Sequence, residues 1–169
     1  MAIAAGNGFS LAVDENGQVH AWGDNNAGQL NMPAGMVDHH IVSVAAGNEH
    51  GLALSADGTV FAWGGNWDGQ INVPVGMGPV AAIAAGDFHS VALAESGQIF
   101  AWGADWGGLA DVLPELTGVI AIAAGGSHSL ALKSNGQVIA WGDNFSGQTN
   151  VASFSAPVIA IAAGAYHKS

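Results

Sequence analysis

Residues 123–151 read AAGGSHSLALKSNGQVIAWGDNFSGQTNV, and nearly the same string occupies residues 4–31, 45–73 and 84–112. The glycine that closes each Ala-Ala-Gly falls at Gly6, Gly47, Gly86, Gly125 and Gly164, so the spacings are 41, 39, 39 and 39. The tryptophans of the Trp-Gly pairs, Trp22, Trp63, Trp102 and Trp141, repeat that register. A fixed period of about 40 residues is the signature of a repeat architecture.

Within the quoted stretch the apolar pattern has a period of two. Leu130 and Leu132 alternate with Ser129, Ala131 and Lys133; Ser134-Asn135-Gly136 then turns the chain, and Val138 and Ala140 alternate with Ile139 and Trp141. Alternation broken by Asn-Gly reads as a β-hairpin. The other copies place Glu15-Asn16-Gly17, Ala56-Asp57-Gly58 and Glu95-Ser96-Gly97 at the same turn. Ahead of each hairpin lies a short apolar segment ending in small side chains, VIAIAAG at both 119–125 and 158–164. Small residues suit a strand where several sheets converge on a narrow axis. After each hairpin a loop rich in glycine and asparagine leads to a short extended piece. Each unit therefore supplies three clear strands and a weak fourth, the composition of one β-propeller blade. The fold expected is all-β: a propeller of about four blade repeats, 4–44, 45–83, 84–122 and 123–161, with a partial fifth at 162–169, in one repeat domain spanning 1–169.

Bulk composition narrows the function classes. The chain has 169 residues, half of them apolar and 26 of them glycine, which permits a real core and argues against disorder. Two lysines stand against 13 carboxylates, for a formal net charge of -11. Nucleic-acid binding needs a basic footprint that is missing, and the same balance argues against anionic membrane surfaces. No apolar run reaches the roughly 20 residues that span a bilayer. There is no cysteine, which excludes disulfides, thiolate catalysis and sulfur-based zinc sites. MAIAAGNGFS lacks the basic and long apolar regions of a secretory signal, so the chain is expected to be soluble, with its compartment left open between the cytoplasm and secretion after signal removal.

The repeated string, Gly-x-x-His-Ser-x-Ala-Leu, then Gly-x-Val-x-Ala-Trp-Gly, then Gly-Gln-x-Asn, resembles the repeats of the regulator-of-chromosome-condensation propellers, especially the shorter bacterial form. The resemblance spans essentially the whole chain. It implies a propeller whose loop face contacts a protein partner. In a photoreceptor propeller of this family, the two residues before the repeated histidine lie on the partner face. The matching positions are Asn7 and Gly8, Asn48 and Glu49, Asp87 and Phe88, Gly126 and Ser127, and Ala165 and Tyr166. Of these, Asn48, Glu49, Asp87, Phe88, Ser127 and Tyr166 are the candidate partner-binding residues. Departures limit the analogy. Family rings usually hold seven blades, and this chain holds four repeats and the start of a fifth. Gly-Gln becomes Gly108-Leu109 in the third repeat, and the repeated histidine is Phe9 in the first. The long insertion with which the chromatin-bound member acts on its small GTPase is absent, so exchange-factor activity is not implied.

Each candidate site has a plainer alternative. His50, His89, His128 and His167 recur at one blade position, where a metal-holding ring of imidazoles competes with a structural hydrogen bond to a neighbouring loop. The structural reading is preferred, because equivalent positions lie a blade width apart. His39 and His40 are weak metal candidates, since adjacent side chains on an extended loop point apart. The four Trp-Gly tryptophans read as packing between blades. Trp67 and Trp106 fall instead in the following loop beside Asp68 and Asp105, where they could stack on a sugar ring while a carboxylate accepts its hydroxyls. Neither a nucleophile elbow nor a phosphate loop occurs, and Ser90 and Ser129 point away from the histidines preceding them. A hydrolase using paired carboxylates at the propeller mouth is the remaining catalytic alternative. The leading expectation is a non-catalytic interaction module that needs no cofactor. A carbohydrate-binding propeller comes second and the hydrolase third. The surplus strand at 158–164 leaves an apolar edge, which points to a homo-oligomer, a homodimer above all, as the way the ring is completed.

Overall fold

The computed structural model describes residues 2–113 and 116–165. Four antiparallel three-stranded sheets follow one another along the chain. The first contains β1 (Ala2–Ala5), β2 (Phe9–Val13) and β3 (Val19–Gly23); the second, β4 (Ile41–Ala46), β5 (His50–Ser55) and β6 (Val60–Gly64). The third contains β7 (Val80–Ala85), β8 (His89–Ala94) and β9 (Ile99–Gly103); the fourth, β10 (Val119–Ala124), β11 (His128–Lys133) and β12 (Val138–Gly142). Besides strands there are two short 3-10 turns, Ala34–Asp38 and Trp106–Gly108. The expected hairpins form in a common register, with Trp22, Trp63, Trp102 and Trp141 opposite Ser10, Gly51, Ser90 and Ser129. The weak fourth strand of each blade carries no ladder in the described residues.

The sheets stack as blades. β1 packs beside β4, β4 beside β7 and β7 beside β10, with no comparable junction returning from β10 to β1 among the described residues. The propeller is thus an incomplete ring. Its inner wall is built by the ends of β1, β4, β7 and β10, where the sequence is Ala-Ala-Gly. Backbone bonds step from blade to blade there, from Asn7 N–H to the Asn48 carbonyl, Asn48 N–H to that of Asp87, and Asp87 N–H to that of Gly126. A Cβ on Gly47 or Gly86 would meet both the blade's own histidine and the glycine carbonyl of the next blade. The Ala-Ala-Gly repeat is therefore a packing requirement of the axis.

Between blades the core is apolar, and the tryptophans expected to fill it behave as a set of three. Trp63, Trp102 and Trp141 are 3, 7 and 6% exposed. Each donates its indole N–H to a carbonyl of the preceding blade: Gln29 at 2.7 Å, Gln70 at 2.9 Å and Leu109 at 3.2 Å. The replacement of Gln by Leu109 is tolerated because the bond uses the backbone carbonyl. Trp22 departs from the expectation. It is 54% exposed, because no blade among the described residues packs against it.

For His50 and His89 the expected bond to a loop is also corrected. His50 Nε2 pairs with Ser90 Oγ at 3.0 Å and His89 Nε2 with Ser129 Oγ at 2.8 Å, each across to the middle strand of the next blade. Ser90 Oγ donates in turn to the Gln70 carbonyl at 2.8 Å. The histidine and the serine that follows it in sequence do point apart, but serine and histidine still meet, from neighbouring blades. Where the first blade has Phe9 in place of histidine, the second has Gly51 in place of serine. That junction is apolar on both sides.

Candidate functional site

In every blade the loop before the middle strand and the loop after the third strand are held together by one backbone bond. The N–H groups of Asp24, Gly65, Ala104 and Asp143 donate to the carbonyls of Gly8, Glu49, Phe88 and Ser127, at 2.8, 2.7, 2.9 and 2.9 Å respectively. The approach is close enough to demand glycine after each tryptophan. Gly64 and Gly103 have φ near +100°, and a Cβ on Gly103 would lie 2.6 Å from the Phe88 carbonyl oxygen. The loops themselves are folded by short polar side chains. Asn25, Asn66, Asp105 and Asn144 each accept from the backbone N–H five residues on.

This pairing of loops merges two sets of candidates that the sequence leaves separate. Trp67 donates its indole N–H to Glu49 Oε2 at 3.3 Å. Trp106 meets Phe88 edge to face, with ring centroids 5.5 Å apart. In the fourth blade Asp143 Oδ2 accepts from Ser127 Oγ at 3.5 Å and from Gln148 Nε2 at 3.1 Å, and Phe145 stands beside it. Glu49, Phe88 and Ser127 from the partner-binding set thus line one face with Trp67 and Trp106 from the carbohydrate set. Trp67 is 82%, Trp106 49% and Phe145 95% exposed, an aromatic at one loop position in each of the second, third and fourth blades, where the first has Asn26. Phe145 joins this row although the sequence carries tryptophan at that position only in the middle repeats. Tyr166 and His167 lie outside the described residues.

Asn48 and Asp87 turn the other way, into an axial groove of about 510 Å³ lined by the Ala-Ala-Gly ends of the inner strands. Burial raises the Asp87 carboxyl above the ordinary carboxylate value. Among the described residues it is the one carboxylate in that lining, and they bring no second carboxyl there to form the acid pair that glycoside hydrolysis uses. The His-Ser pairs offer no nucleophile either, since His50, His89, Ser90 and Ser129 are all 0% exposed.

The carbohydrate candidates divide. Asp105 Oδ1 is engaged by the Ala110 N–H at 3.3 Å and shapes its own loop. The Asp68 N–H is taken by Gln70 Oε1 at 2.9 Å. The third loop has a further peculiarity. Elsewhere an asparagine pair closes this loop, Asn25 to Asn31 at 3.3 Å, Asn66 to Asn72 at 3.0 Å and Asn144 to Asn150 at 3.0 Å. In the third blade both positions are carboxylates, Asp105 and Asp111. The weak metal candidates are drawn apart. His39 Nδ1 lies 3.3 Å from Asp57 in the second blade's turn, and His40 Nδ1 3.0 Å from the Asn16 carbonyl in the first. Among the described residues no group of three or more histidine or carboxylate side chains is arranged to hold a metal ion.

Comparison with known proteins agrees with this geometry. The regulator of chromosome condensation (RCC1) repeat model matches residues 2–29, 41–70, 80–105 and 119–148, more than half of the chain. No curated protein matches significantly. Among solved structures, human WBSCR16 superposes with a TM-score of 0.82 at 24% identity, over 96% of this chain and 55% of that one. Prp20p from Saccharomyces cerevisiae gives 0.77 at 24% identity, over 96% of this chain and 52% of that one. The CRINKLY WD40 ectodomain of the Arabidopsis thaliana receptor kinase ACR4 gives 0.74 at 23% identity, over 97% and 57%. This chain spans about half the length of each.

Proposed function

Because the chain belongs to the regulator of chromosome condensation (RCC1) repeat family, whose propeller commonly mediates protein interaction, we propose that it is a non-catalytic interaction module whose loop face binds a protein partner through basic side chains. The observation that carries this reading is the row of exposed aromatics, Trp67, Trp106 and Phe145, with Glu49 accepting from the Trp67 indole, Asp105 preceding Trp106 in its loop and Asp143 accepting from the Phe145 backbone N–H. An aromatic face beside a carboxylate attracts a lysine or arginine twice, through the ring quadrupole and through charge. The net charge of -11 adds long-range steering of a basic partner and repels an acidic one. A structural neighbour, Prp20p, has been studied for its binding to Gsp1p and histones, which supports protein binding as a use of this fold.

The test uses a lysine- and arginine-rich peptide, an acidic peptide of equal length and a glycan array. The expected result is salt-dependent binding of the basic peptide alone, weakened about tenfold or more by Trp67→Ala or Trp106→Ala, which remove a stacked aromatic anchor. Binding that is indifferent to both substitutions overturns the reading. Glycan binding that depends on Trp67 would replace it with the carbohydrate alternative.

A further inference from the structure

Every blade repeats the same two positions on the loop face, one before the middle strand and one after the third, and fills them differently. The pairs are Gly8 with Asn26, Glu49 with Trp67, Phe88 with Trp106, and Ser127 with Phe145. The second blade sets a carboxylate against its aromatic, and Glu49 takes the Trp67 indole N–H at 3.3 Å. The fourth has a serine, whose hydroxyl goes to Asp143. Only the third, among the described residues, sets two rings together. Phe88 and Trp106 stand with centroids 5.5 Å apart and planes inclined at 61°, two walls of an aromatic corner. Phe88 is half-buried and Trp106 exposed, so the corner is anchored on one side and open to solvent on the other. The next two residues, Gly107 and Gly108, bring no side chain to fill it. The charge around it has one sign. Asp105 precedes Trp106, Asp111 lies in the same loop, and Asp143 of the fourth blade backs Gly107, where a Cβ would come 3.1 Å from the Asp143 Cα. None of these loops contains a lysine or arginine.

We propose that the Phe88–Trp106 corner binds the methylated ammonium group of a methylated lysine on the partner, so that the third blade takes a different cation from the second. The inference rests on the basic-partner reading above and names the group that one blade of that face receives. An unmodified lysine ammonium is compact, strongly hydrated and carries three N–H donors that need acceptors. Glu49 beside Trp67 offers an acceptor at the ring; Phe88 beside Trp106 offers none. Methylation removes donors and keeps the charge. The group that results has apolar surface to lay against two rings and a cation for their quadrupoles. With the centroids 5.5 Å apart, one cation can stand within about 6 Å of both, the reach of a cation–π contact. The attraction of Asp105, Asp111 and Asp143 acts through charge alone and is retained on methylation.

Nuclear magnetic resonance of the indole N–H groups at constant ionic strength tests the corner. The probes are choline and its neutral analogue with carbon in place of the quaternary nitrogen. Choline should shift the Trp106 resonance saturably, and the analogue should not. Phe88→Leu keeps apolar volume and removes one ring, and should weaken choline about threefold or more, the scale of one exposed cation–π contact. Phe88 lies outside the apolar core clusters, so this variant should keep the fold. Trp67→Ala should leave choline binding unchanged. Equal shifts from both probes, or a choline affinity indifferent to Phe88→Leu, overturns the proposal. The lysine- and arginine-rich peptide, with one lysine unmodified or trimethylated, identifies the source of the cation. The trimethylated form should bind about threefold or more tighter, a gain lost in Phe88→Leu and kept in Trp67→Ala. Equal binding of the two forms overturns the methylated-lysine assignment and leaves the basic-partner reading standing. Choline held at Trp106 with neither peptide bound overturns the basic-partner reading, and the lysine source with it.

Discussion

The first and third blades are written with almost the same residues and are buried differently. In the third blade every position of the middle strand, HSVALA, is buried; in the first blade the equivalent FSLAV alternates between buried and half-buried. The second blade behaves like the third, and the fourth, HSLALK, again leaves positions half-covered. The alternation is what one expects of a sheet with a single covered face. The continuous burial belongs to a sheet enclosed on both sides. Burial in this protein is therefore a property of the junction between blades more than of the blade, as nearest-neighbour repeat architectures require.

The largest expected effect breaks the comparison at the tryptophans. Trp63→Ala and Trp102→Ala should each destabilise the chain by roughly 3 to 5 kcal/mol, the range for deleting a large core aromatic. Each also removes an indole donor and opens the space against the preceding blade. Trp22→Ala and Trp67→Ala should each cost less than about 1 kcal/mol, as surface substitutions do. Chemical denaturation of the four variants checks this. Equal losses would mean that burial does not follow the junctions.

The second effect sharpens the contrast between a histidine junction and an apolar one. Burial pushes His50 down to about 4, and burial together with the charges of His50 and His128 pushes His89 down to about 4, from an ordinary 6.5. The unfolded chain therefore binds these protons as the pH falls through 6.5, while the folded chain does not until about 4. Stability is fully present above 6.5 and is lost between 6.5 and 4, by on the order of 3 kcal/mol per histidine. The junction of Phe9 and Gly51 contributes nothing to this loss. Replacing one polar junction with its apolar counterpart, His50→Phe with Ser90→Gly, should flatten the acid dependence of the denaturation midpoint by about one proton. An unchanged acid profile would show that His50 is not an acid-sensitive group.

What the sequence discloses follows from range. The period, the Asn-Gly and Asp-Gly turns and the alternation around Leu130 and Leu132 are local or strictly repeated, and they lead to the blade. The four equivalent tryptophans cannot reveal that Trp22 is exposed, because it sits in the same Ala-Trp-Gly as the other three. Glu49 and Trp67 are 18 residues apart, and only the bond between their loops brings them to one face. The His50–Ser90 pair is separated by 40 residues, and no local pattern marks it. One signal was present and easily overlooked: the histidine missing at Phe9 and the serine missing at Gly51 are offset by one repeat, as two residues of a shared junction would be. Phe145 escapes for the opposite reason, since its exposure depends on loop position and not on residue type.

The smallest expected effect isolates the third loop against its three equivalents. In those loops an asparagine side chain donates to a second asparagine, at 3.0 to 3.3 Å, while its own oxygen accepts a backbone N–H. Asp105 keeps the second role, accepting from the Ala110 N–H, but has no donor to offer Asp111. Two like charges therefore stand where a neutral hydrogen bond stands elsewhere. Asp105→Asn restores the donor without disturbing the acceptor, and should stabilise the chain by up to about 1 kcal/mol, the scale of one solvent-accessible hydrogen bond and a relieved surface repulsion. Asn66→Asp makes the reverse change in the second blade, where the donor goes to Asn72, and should destabilise by a similar amount. Denaturant midpoints for the two variants decide it. Shifts of opposite sign confirm that the loops are equivalent apart from this pair, whereas a loss in Asp105→Asn would mean that the third loop is built around its two carboxylates.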